Sequence, residues 1–88
     1  MLYSIYMEAL VELLKDINRR AAVEFLNSRP NPAHLRKVYA EGGESEKGAV
    51  VHCLMVAYCE FRAEQDEASD LPSVIIADSF EHALTVAA

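Results

Sequence analysis

Asn31-Pro32-Ala33-His34-Leu35-Arg36-Lys37-Val38-Tyr39-Ala40-Glu41-Gly42-Gly43 carries both ends of a helix within one short stretch. Asn31 is an N-cap residue, whose side-chain oxygen accepts from a first-turn N–H that has no partner in the helix. Pro32 then occupies the first helical position, where its missing N–H costs nothing. Leu35, Val38 and Tyr39 follow at helical spacing as an inward stripe. Gly42-Gly43 predicts a left-handed C-terminal stop. The reading is a short helix over 32–41, and the segments on either side must pack against it.

Upstream, Tyr3 to Ser28 contains no Gly or Pro and reads as one long helix. Leu10, Leu13, Leu14, Ile17, Ala21 and Phe25 recur at steps of three and four, the signature of one buried face. Glu8, Glu12, Lys15, Asp16 and Arg19 fall on the other side, and Asp16 precedes Arg20 by four, the favourable order for a surface ion pair. Pro30 ends the helix by forcing its predecessor out of helical geometry.

Downstream, Ser45 is the expected cap of a second long helix over 46–68. Its first half, Val50 to Tyr58, is apolar nearly all round and demands cover on every side. Its second half turns acidic at Glu60, Glu64, Asp66, Glu67 and Asp70, against the negative end of the helix dipole. The last segment has two readings. Ser73-Val74-Ile75-Ile76-Ala77 has strand composition, with an Asp78-x-x-Glu81 capping box behind it. A lone strand in a helical chain leaves its backbone groups unpaired. The expectation is therefore a helix over 72–87 with Ile76, Phe80, Ala83, Leu84 and Ala87 inward. The fold class is all-α: a single domain over 1–88, a small bundle of two long and two shorter helices (about 3–28, 32–41, 46–68 and 72–87).

Size points to a second copy. A helix of 26 residues is ~39 Å long at 1.5 Å per residue, whereas a compact domain of 88 residues is roughly 31 Å across. The overhanging start (Leu2, Tyr3, Ile5, Tyr6, Met7) is apolar. A homodimer is expected, with Tyr3, Tyr6, Leu10, Leu13, Val51, Met55 and Tyr58 at its interface.

Composition narrows the functional classes. Of 88 residues, 52% are hydrophobic, enough for one core and inconsistent with low-complexity disorder. The longest apolar run, Ala49 to Cys59, has 11 residues including His52, short of the ~20 needed to span a bilayer, so no membrane association is expected. The start lacks a basic n-region, so no targeting peptide is expected. Cys53 and Cys59 lie six apart in one helix, about 120° around its axis, where they cannot pair; as core or interface thiols they fit a cytoplasmic setting. Charge is uneven. Residues 1–40 hold six bases and four acids, net +2, while residues 41–88 hold two bases and ten acids, net −8.

No catalytic constellation emerges. The residues three before His34, His52 and His82 are Asn31, Ala49 and Ser79, so the Glu-x-x-His pairs of a carboxylate-bridged metal site are missing. His52 and Cys59 share a helix face, but two ligands do not make a zinc site. No nucleophile elbow, glycine-rich phosphate loop or His-Glu-x-x-His motif occurs. The chain is therefore not read as an enzyme, and no cofactor or metal is implied. Nucleic acid is disfavoured as well. The arrangement is superficially like a helix-turn-helix, but its would-be recognition helix is apolar and acidic, and the pI is about 4.9.

What is left is protein binding. Glu60, Glu64, Asp66, Glu67 and Asp70 form a candidate patch for a partner with a basic surface, where charge raises encounter rate and selects partners. Arg19, Arg20, Arg29, Arg36 and Lys37 form a second, basic cluster able to meet an acidic protein surface. In size and charge the chain is similar to small phage or mobile-element inhibitors such as anti-CRISPR proteins and antiactivators. The expected function is that of a non-catalytic regulator or inhibitor. The alternative is a small-molecule- or metal-binding bundle, or an enzyme, with His52, Cys59 and Tyr58 gathered at a dimer interface.

Overall fold

The computed structural model describes residues 2–65 and 71–86. They form four helices, α1 (Leu2–Asn27), α2 (Pro32–Glu41), α3 (Glu44–Glu64) and α4 (Ser73–Thr85), with no strand among the described residues. The 73–77 segment is thus the opening of α4, which begins after Pro72; Ala87 lies outside the described residues.

The capping chemistry of α2 is as the sequence dictates at its start and different at its end. The Asn31 side chain accepts from the His34 N–H at 3.2 Å, with Pro32 behind it. Gly42 donates its N–H to Val38 O at 2.8 Å, but its φ of −78° and ψ of 162° are extended, not left-handed. Glycine is required there for room: a Cβ on Gly42 would sit 2.7 Å from Val38 O and 2.8 Å from Glu46 Cβ. α3 consequently starts at Glu44, with Gly43 rather than Ser45 as its N-cap and no side-chain cap bond. Glu44 and Glu46 place negative charge at its positive end. It closes at Glu64, with Gln65 as C-cap, short of the expected Ala68, which lies outside the described residues.

Three rings fasten the core. Phe25 of α1, Tyr58 of α3 and Phe80 of α4 meet edge to face, with centroids 5.2 Å (Phe25–Tyr58), 5.5 Å (Tyr58–Phe80) and 6.0 Å (Phe25–Phe80) apart. Edge-to-face contact aligns a ring's positive rim with its neighbour's negative face. Leu26, Val50, Val51, Leu54, Ile76, Ala83 and Leu84 fill the space around them, and Leu35, Val38 and Tyr39 of α2 pack on the margin. α3 and α4 form an antiparallel hairpin. Leu71, Ser73 and Ile76 lie along Met55 to Ala63, while Glu81 lies near Lys47 and Val51. The two buried polar side chains among the described residues return to their own helices: Asn18 Nδ2 donates to Leu14 O (2.7 Å) and Ser79 Oγ to Ile75 O (2.8 Å).

Helix α1 departs from the expected inward stripe. Of Leu10, Leu13, Leu14, Ile17, Ala21 and Phe25, only Phe25 is buried; Ala21 is half-buried and the other four are exposed. Among the described side chains of α1 the buried ones are Asn18, Ala22, Phe25 and Leu26, all in its second half. Length explains this. α4, the main neighbour of α1, has 13 residues and is ~20 Å long, so it covers about half of a ~39 Å helix. The described residues accordingly extend 44 × 30 × 23 Å, with a radius of gyration of 14.0 Å.

Candidate functional site

The first half of α1 forms an arm with no buried residue among its described side chains. From Ser4 to Ile17 every residue is exposed except the half-buried Lys15. Eight are large and apolar: Ile5 and Tyr6 (each 65% exposed), Leu13 (56%), Ile17 (55%), Met7, Leu10, Val11 and Leu14. All but Ile5 fall within a band spanning roughly 160° of the helix circumference. Along one edge of it run Tyr6, Leu10, Leu13 and Ile17, at steps of four, three and four. Met7 and Leu14 flank that seam on one side. This is the pattern of a helix that faces another helix. Glu8, Glu12, Lys15 and Asp16 occupy the opposite side, with Glu12 and Lys15 paired at 3.9 Å.

The sequence-derived interface residues therefore divide. Tyr6, Leu10 and Leu13 stand on the arm, and the side chain of Tyr3 lies outside the described residues. Val51 and Tyr58 are buried in the chain's own core, and Met55 is half-buried beside it. The apolar first half of α3 suggested a self-association face, but Phe25 and Phe80 already cover Tyr58. Leu10, Leu13, Leu14 and Ile17, which periodicity places inward, belong instead to the exposed band. The signal that finds them is the shortness of α4 relative to α1.

At the far end of α3, Glu60 and Glu64 are exposed and share a shallow cleft with Arg29, Ala57 and Phe61. Asp66, Glu67 and Asp70 lie outside the described residues. The basic cluster is largely engaged within the chain. Arg19 grips Asp78 through two hydrogen bonds, Nε to Oδ2 at 3.1 Å and Nη2 to Oδ1 at 3.2 Å, in place of the expected Asp16–Arg20 pair. That hydrogen bonding raises the Arg19 pKa above its ordinary value. The Arg29 guanidinium lies over the Phe25 ring at 4.1 Å, and Arg36 Nε donates to Val86 O at 3.1 Å.

His52, Tyr58 and Cys59 do not converge. His52 lines a cleft with Tyr39, Lys47 and Glu81, whereas Tyr58 and Cys59 line another with Leu71 and Ile76. Among the described residues no group of three or more His, Cys, Asp or Glu is placed to hold a metal ion. Cys53 and Cys59 are free and exposed, not part of the core. Among the described residues no helix is long and apolar enough to cross a membrane. Comparison with family models, with curated proteins and with solved structures finds no match for this chain.

Proposed function

We propose that this protein is a non-catalytic, protein-binding regulator or inhibitor that works by association. The observation that carries the reading is the arm: eight of the eleven exposed large apolar side chains among the described residues fall between Ile5 and Ile17 of α1. A contiguous apolar surface of this extent marks an interaction site. The exposed Glu60 and Glu64 supply the second element, a negative end suited to a partner with a basic surface. Two exposed thiols fit a reducing compartment such as the cytoplasm.

The test uses the full chain recovered from its native cells with whatever it binds, compared with L10E/L13E and with E60K/E64K. Neither pair of positions is buried, so both variants keep the core. The arm variant is expected to lose its associated proteins, second copies included. The acid-reversed variant is expected to lose affinity at low salt and to show a flatter salt dependence. Associations unchanged in both variants would remove protein binding from the account.

A further inference from the structure

We infer that the occupant of the arm is a second copy of this chain, paired antiparallel. The inference rests on reading the arm as an association surface, and adds the identity and direction of what covers it.

Area is the first argument. Without Ile5, which falls on the charged side, the exposed fractions of the seven apolar residues in the band amount to about three fully exposed large side chains. That is on the order of 600 Å² per copy, at the low end of the ~600–1,000 Å² per partner of specific, stable interfaces. The seam is also self-complementary. Its 4-3-4 spacing reads the same from either end, so a copy turned end for end sets Tyr6 against Ile17 and Leu10 against Leu13 of its mate. A two-fold axis relates such contacts and closes the assembly at two copies.

Charge selects the direction. Glu8, Glu12, Lys15 and Asp16 lie on the side of the arm away from the seam and Arg19 is held by Asp78 of its own chain, so the bodies and not the arms decide. Parallel pairing would crowd the two bodies at one end. Residues 21–88 hold five bases and eleven acids, so the whole net charge of −6 resides there. Antiparallel arms hold these like-charged bodies at opposite ends of the dimer, and opposed helix dipoles add to the preference.

The experiment has two readouts on the full chain. Sedimentation equilibrium at micromolar concentration is expected to give a dimer, and L13E a folded monomer with at least a hundredfold weaker self-association. Direction is read by cross-linking in a C53A/C59A background, mixing chains that carry Y6C with chains that carry I17C. Disulfide formation is expected between unlike chains and not between two Y6C chains. A Y6C–Y6C bridge would overturn the antiparallel arrangement. A monomeric wild type would overturn self-pairing altogether. If that monomer still captured other proteins through an intact arm, the protein-binding reading would survive with a different occupant. Vesicle binding by the monomer, lost in L13E, would instead assign the band to a lipid surface and overturn the inference.

Discussion

Phe80 has no exposed surface and touches both Phe25 and Tyr58, so it is the side chain through which α1, α3 and α4 hold one another. Phe80→Ala is expected to destabilise the fold by about 3–5 kcal/mol, the range for an aromatic removed from a closed core, as read by urea unfolding. Tyr58 differs, because its hydroxyl accepts from Arg62 Nη1 at 3.1 Å while its ring stays in the cluster. The glycines give a sharper contrast. A methyl at Gly42 collides with the α2 backbone at Val38 O, whereas at Gly43 and Gly48 it meets nothing within 4 Å. Gly48 sits inside α3, where Ala is the better helix former. Gly48→Ala is therefore expected to stabilise by roughly 0.5–1 kcal/mol, and Gly42→Ala to destabilise by about 1–2 kcal/mol, a size typical of local overpacking. Thermal melts of the two variants should move in opposite directions.

Among the elements, the start of α2 was legible locally, whereas the left-handed stop at Gly42 and the Ser45 cap were not realised. The α2 start is a dipeptide with its own chemistry, and Asn31→Ala should cost about 1 kcal/mol through loss of the bond to the His34 N–H, measurable as a lowered urea midpoint. The choice of helix over strand for 73–77 was also legible, because an isolated strand has no hydrogen-bond partner in a helical chain. What was illegible depended on neighbours. Periodicity placed Leu10, Leu13, Leu14 and Ile17 on an apolar face correctly, but it carries no information about whether another element reaches that face. The same blindness put Val51 and Tyr58 on an interface when Phe25 and Phe80 already enclosed Tyr58. It also read Cys53 and Cys59 as core or interface thiols, because an apolar helix looks alike on its covered and uncovered sides. Both thiols are exposed in the folded chain. Ellman's reagent should titrate both without denaturant; two slow thiols released only on unfolding would contradict this placement.

For the whole molecule, the mismatch between a ~39 Å helix and a compact body was visible from length alone, and the 44 Å long dimension realises it. The consequence is thermodynamic. A chain that hides its arm only against another chain draws part of its stability from association, and mass action then makes that stability depend on concentration. For a dimer unfolding to two separate chains, tenfold dilution removes about 1.4 kcal/mol. With an unfolding entropy of roughly 2 cal/mol/K per residue over two copies, this lowers Tm by about 4 °C per decade. A monomer would show no such slope. Calorimetry across two decades of concentration should therefore give a dilution-dependent Tm for the wild type. The same scans should give a flat line for L13E, whose altered residue touches the arm but not the ring cluster. A flat line for both would mean that the body carries all the stability, and that the arm's apolar band is covered, if at all, by something other than this chain.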